Sequence, residues 1–124
     1  MRRPTRVLIV EDDSALRALY RTALKAAGYE VVAVEDGIDA LRQVELSIPN
    51  AVVLDLELPR LSGRDVQKEL ASREDTARVP VVVVTGTEAR DLREADFACI
   101  LRKPIHPELL VYAIENCLRG GSRL

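Results

Sequence analysis

No apolar run in this chain of 124 residues approaches the ~20 residues that a bilayer-spanning helix requires. The N-terminus carries Arg2 and Arg3, but the apolar stretch behind them is only Val7 to Val10, too short for the core of a secretory leader. Charge of one sign is missing as well. Lys and Arg number 18 against 20 Asp and Glu, and the net charge of -2 argues against nucleic acid as the main partner. Arg2 and Arg3 read as a solvated flank. Cysteine is scarce. Cys99 and Cys117 sit in apolar patterns without metal-ligand spacing, and they read as reduced core residues of a cytoplasmic protein, with a disulfide as the alternative. The one histidine, His106, follows Pro104 in a loop and reads as a surface residue, not a catalytic base or a metal ligand. There are no internal repeats and no low-complexity segments.

What the chain does have is four strongly apolar runs, each ending at a polar residue that chemistry can use. Val7 to Val10 runs into Glu11-Asp12-Asp13, and Ala51 to Leu54 into Asp55. Val81 to Val84 runs into Thr85-Gly86, and Ala98 to Leu101, past Arg102, into Lys103-Pro104. Such β-branched runs read as strands buried on both faces. Helical patterns separate them: Ser14 to Ala27, with Leu16, Leu19, Tyr20, Ala23, Leu24 and Ala27 on one face and Gly28 as C-terminal cap; Gly37 to Leu46, with Ile38, Leu41 and Val44 inward; Gly63 to Ser72; and Pro107 to Leu118, with Leu110, Ala113, Ile114, Cys117 and Leu118 inward. Strands at Thr5 to Val10, Glu30 to Val34, Ala51 to Leu54, after Pro80, and at Ala98 to Arg102 complete the alternation. The order predicts an α/β fold with a doubly wound, five-stranded parallel sheet of the flavodoxin-like kind. One domain over residues 1–119 and a flexible tail at 120–124 are expected. Between Thr85 and Lys103 there is little room. The fourth helix must be short or irregular, and Glu88 to Glu94 is its expected place.

In such a sheet, ligands bind beyond the carboxyl ends of the strands. Glu11, Asp12 and Asp55 would then meet there. Three carboxylates together raise each other's pKa, and a hard divalent cation removes that cost. Lys103 offers a point charge for a phosphate and Thr85 a hydroxyl donor. These parts suit phosphoryl transfer, with Asp55 as the natural nucleophile. Taken singly, each has a plainer reading. Asp12 or Asp13 serves equally well as a helix N-cap, a strand-end threonine is usually structural, and a lone lysine is usually solvated. Asp55 between Leu54 and Leu56 resists that treatment, because an unpaired buried carboxylate is expensive.

The chain resembles the receiver domain of two-component response regulators, the CheY-like fold. The resemblance runs from Val7 to Leu118. It rests on Val10-Glu11-Asp12-Asp13, Leu54-Asp55-Leu56-Glu57-Leu58-Pro59 with Gly63, Val84-Thr85-Gly86, and Lys103-Pro104, in that order at strand ends. It implies Asp55 as phosphoacceptor, and Glu11, Asp12, Asp55 and the backbone carbonyl of Glu57 as ligands of Mg²⁺ or Mn²⁺. It implies Thr85 and Lys103 as contacts of the phosphoryl group, and a cis Lys103-Pro104 bond. Asp13 lies one residue beyond the acidic pair and faces the first helix. The expected partner is a histidine kinase or histidine phosphotransfer protein, with an unidentified downstream protein, in the cytoplasm; no nucleic acid or membrane is expected.

Three positions depart from the common receiver pattern. Ile100 stands three residues before Lys103, where many receivers carry Tyr or Phe; the nearest aromatic, Phe97, is earlier. The fourth helix is shortened. Glu57 and Thr87 occupy the flanking positions that vary among receivers and tune phosphoryl lifetime. The phosphorylation chemistry therefore reads as intact and the usual output face as rebuilt. A phosphatase of the haloacid dehalogenase type would need a second Asp where Glu57 stands, and its nucleophile on the first strand. A flavodoxin would need a Ser/Thr/Gly-rich loop after the first strand, where this chain has acids. The remaining alternative is a receiver-like interaction module that works without phosphorylation.

Overall fold

The computed structural model describes residues 4–86 and 90–120. The elements follow the expected alternation: β1 (Arg6–Val10), α1 (Ser14–Ala26), β2 (Glu30–Val34), α2 (Gly37–Leu46), β3 (Ala51–Leu54), α3 (Gly63–Ser72), β4 (Val81–Thr85), β5 (Cys99–Arg102) and α4 (Pro107–Leu118). All strand pairs are parallel, in the order β2-β1-β3-β4-β5. The order reverses between β1 and β3, which places a ligand crevice at their carboxyl ends.

Local chemistry sets the ends. Asp13 caps α1 by accepting a hydrogen bond from the Leu16 N–H at 2.9 Å. Gly28, with φ of 100°, turns the chain out of α1 through a conformation that side chains disfavour. Ser62 caps α3 in the same way as Asp13 caps α1. Valine-rich β1, β3 and β4 are buried almost throughout, as runs covered on both faces must be. One apolar cluster joins Val7, Ile9, Val53 and Val82 to Leu24, Leu110 and Ile114 under α1 and α4. The other joins Leu8, Val10, Leu54 and Val83 to Val44, Val66 and Leu70 under α2 and α3. Cys99 is buried, Cys117 half-buried, and both are free thiols.

Two expectations need correction. Leu19, 45% exposed, and Ala27, also exposed, do not belong to the inward face of α1. Leu16, Tyr20 and Leu24 are the α1 residues that pack into the core. Of the two forms expected for the fourth helix, short or irregular, the described residues show the irregular one, and Glu88–Glu94 is not the place of a helix in the part that is described. Residues 90–93 are irregular, and a single 3₁₀ turn, Glu94–Asp96, leads into β5. Too few residues separate β4 from β5 for a helix and two connections. Thr87 and Glu88 lie outside the described residues, as does the tail from 121 onward. The irregular segment is held to α3, where Arg64 Nη2 donates to the Arg90 carbonyl at 2.5 Å and Gln67 Nε2 to that of Asp96 at 3.2 Å. Phe97 is buried in the α2–α3 cluster, and Ile100 is half-buried at its edge.

Candidate functional site

The carboxyl ends of β1, β3, β4 and β5 bring the predicted residues together. β1 and β3 register Val10 against Leu54, so the residues that follow, Glu11 and Asp55, leave the sheet side by side. The ladder continues past both. Glu11 N–H donates to the Val34 carbonyl at 3.1 Å and Asp55 N–H to the Val10 carbonyl at 3.0 Å. Glu11, Asp55 and Thr85 are buried, while Asp12 is exposed at the rim. One carboxylate oxygen from each of Glu11, Asp12 and Asp55 lies within 4.8 Å of the others.

Lys103 compensates this charge from the end of β5. Its Nζ donates to Asp55 Oδ2 at 2.9 Å and lies 2.6 Å from Glu11 Oε1. The second approach is a close ion pair to a buried oxygen, so one ammonium is shared by two carboxylates. Asp55 Oδ1 accepts from the Glu57 N–H at 3.0 Å and from Thr85 Oγ1 at 3.3 Å. Glu11 Oε2 accepts from the Asp13 N–H at 3.1 Å. Burial, reinforced by Asp55, pushes the Glu11 carboxyl up to about 7, even though Lys103 and the Asp13 amide favour its charged form. Burial pulls the Lys103 ammonium down, but Glu11 and Asp55 outweigh it and hold its pKa above the ordinary lysine value. The Lys103-Pro104 bond is cis, as the resemblance implied. Glu57 is exposed, with its carboxylate beside Gly86 at the rim.

A hard-oxygen cluster with two buried members fits an Mg²⁺-class cation, which takes one or two carboxylates with waters. Two residues at the site escaped the reading of the sequence. Arg17 Nη1, one turn into α1, donates to the carbonyls of Glu11 at 2.9 Å and Asp12 at 3.3 Å, bracing the acidic loop. Its position four residues after the Asp13 cap was the available signal. Arg60 is the other. Nothing about a residue after proline announces its partner.

A family model described as the response regulator receiver domain matches residues 7–115. The chain belongs to the response regulator receiver family. It is a receiver domain of two-component signalling, and its acidic pocket fits a phosphoacceptor site. Response regulator MprA from Mycobacterium sp. strain KMS is 36% identical over 123 residues, covering 96% of this chain and 53% of that protein. The receiver thus spans about half the length of that relative. A CheY-like response regulator receiver domain protein from Methanospirillum hungatei superposes with a TM-score of 0.87 at 24% identity, covering 95% of this chain and 96% of that one, a likeness of fold. The receiver domain of a sensor histidine kinase from Pseudomonas aeruginosa, 25% identical, has a TM-score of 0.84 with 94% and 99% covered, and that structure holds a magnesium ion in its active-site cleft. No helix among the described residues is long and apolar enough to cross a membrane.

Proposed function

We propose that this receiver takes a phosphoryl group from a phosphohistidine onto Asp55, and that Glu11, Asp12, Asp55 and the Glu57 carbonyl hold Mg²⁺, or Mn²⁺, for the transfer. The observation that carries the reading is the position of Asp55. It is buried at the switch point of the sheet, with an ammonium on one oxygen and an amide and a hydroxyl on the other. When bound, the cation neutralises the carboxylates and the phosphoryl oxygens together. An Asp55 oxygen attacks phosphorus, the P–N bond breaks with its electron pair going to nitrogen, and the donor leaves as neutral imidazole, keeping the proton already on its other ring nitrogen. Hydrolysis reverses the gain: water attacks phosphorus, and the Asp55 carboxylate and inorganic phosphate are released. Lys103 exchanges its carboxylate contact for a phosphoryl oxygen. Thr85 follows with its hydroxyl, and Lys103 N–H, bonded to the Thr85 carbonyl at 2.7 Å, links the two strands that would respond.

The donor is a histidine kinase or a histidine phosphotransfer protein that approaches over α1, whose exposed Ser14, Ala15, Ala18 and Thr22 are small. Residues 1–119 act as the receiver and 120–124 as a flexible tail, in the cytoplasm. Output runs through protein contacts on the rebuilt face, where a helix is replaced by the segment tied to α3. Intact-mass measurement after acetyl phosphate and Mg²⁺ tests the assignment. Wild type gains one phosphoryl group and Asp55→Ala gains none. A wild type that gains none points to the phosphorylation-independent interaction module.

A further inference from the structure

The loop between β3 and α3 carries both Asp55 and the Glu57 carbonyl, so its position decides whether the ligand set is assembled. Gly63 closes one end. Its N–H donates to the Leu56 carbonyl at 3.0 Å, and a Cβ there would lie 2.1 Å from the Asp55 carbonyl oxygen. The middle of the loop rests on the first turn of α2, where a Cβ on Gly37 would lie 2.2 Å from the Leu61 carbonyl oxygen. Arg60 adds a charge contact at the same place. Its Nη2 lies 2.7 Å from both carboxylate oxygens of Asp36 and 3.2 Å from Asp39 Oδ1. Asp36 is 5% exposed and also caps α2 through the Asp39 N–H at 2.9 Å. The Arg60 guanidinium, together with that N–H, holds the Asp36 carboxyl below its ordinary range.

Arg60 reaches this contact with φ of 66°, a left-handed conformation that disfavours a residue with a Cβ and leaves a glycine unstrained. An arginine held there is justified by what its side chain does. Among the described residues, it makes the only side-chain hydrogen bond from residues 57–61 to another element. A second-layer contact of this kind commonly sets the orientation of metal ligands.

We propose that Arg60 and Asp36 are a positioning pair, tying the β3–α3 loop to the N-terminus of α2 so that Asp55 and the Glu57 carbonyl meet the cation together. The proposal rests on the phosphoacceptor reading of the site. Arg60→Gly suits the backbone and deletes the tie. Asp36→Asn keeps an N-cap and deletes the charge. Mn²⁺ affinity, followed by the loss of its free-ion paramagnetic resonance signal, falls about tenfold in each. The double variant loses no more than either single one, because both cut the same link. Arg60→Lys recovers most of the affinity, since a single nitrogen makes all the contacts to Asp36 and Asp39. Metal-free melting temperatures are measured beside each titration. Unchanged affinity in Arg60→Gly overturns the proposal. So do additive losses in the double variant, or losses that merely track melting temperature. A wild type that binds no Mn²⁺ would instead bring down the phosphoacceptor reading and this inference with it.

Discussion

Glu11 is the residue on which the charge state of the site turns. Its carboxyl, ordinarily near 4.5, is pushed up to about 7 by burial. Between those values the folded chain holds a proton that the unfolded chain has released. Metal-free stability therefore falls as pH rises through that window, while cation binding, which needs the charged carboxylate, strengthens. The rise in melting temperature caused by Mg²⁺ should be larger at about pH 8 than at about pH 5.5, and Glu11→Gln should flatten the difference. Equal shifts at both pH values would rule out Glu11 as the titrating ligand. Asp55→Asn follows from the same balance. Above about pH 7, where Glu11 is charged, Lys103 is one cation facing two buried carboxylates, so losing one relieves repulsion. The variant should melt about 3–6 °C higher than wild type without metal, near ~1 kcal/mol for a domain of this size, and respond less to Mg²⁺. Calorimetric melts in EDTA and in Mg²⁺ check both statements.

At the scale of elements, the turn from β3 into α3 leaves least room for change. Gly63→Ala would press a methyl group onto the backbone carbonyl of Asp55, so stability should fall by ~3 kcal/mol and phosphoryl uptake should fall with it. A chemical denaturation series and a mass measurement together test that coupling. The segment before β5 gives a different prediction. Arg64→Ala with Gln67→Ala removes two exposed contacts. Amide exchange should quicken across residues 90–97 while global stability changes by no more than about 1 kcal/mol per bond. These elements also mark what the sequence could and could not reveal. Val81 to Val84 and Ala51 to Leu54 were legible because β-branched runs buried on two faces have no other home in a parallel sheet. Asp13 and Gly28 fixed both ends of α1 by local chemistry alone. Leu19 was misplaced because periodicity reports an apolar stripe, whereas burial depends on which part of the stripe the rest of the fold covers, here Leu16, Tyr20 and Leu24. Glu11, Asp55 and Thr85 were legible as one site because each stands at the end of a strand. Arg60 and Asp36 were not, since their contact spans 24 positions between two loops.

For the molecule as a whole, the two helical layers leave unequal surfaces beside the site. On the α2–α3 side, the acidic crevice borders charged side chains, among them Arg60 and Asp39. On the α1–α4 side, α1 exposes Ala15, Ala18 and Leu19, and an apolar groove between the two helices is lined by Ala23, Ala26, Val111 and Tyr112. For the proposed transfer, a phosphohistidine donor would have to bring its imidazole to Asp55 while its own backbone stays outside the pocket. In the proposed docking, small side chains on α1 would permit that approach at the lowest steric cost, and the apolar groove would add to it by removing exposed apolar surface from water. Alanine also favours the helix itself, so composition alone does not separate docking from propensity. A donor comparison does. Ala18→Arg keeps a good helix former at an exposed position, so the fold and its chemistry should survive. Phosphorylation by acetyl phosphate, which needs no protein surface, should proceed at the wild-type rate. Transfer from the cognate kinase should fall at least about tenfold, as expected when a bulky charge enters the desolvated centre of an interface. Equal effects on both donors, or on neither, would move the docking surface away from α1.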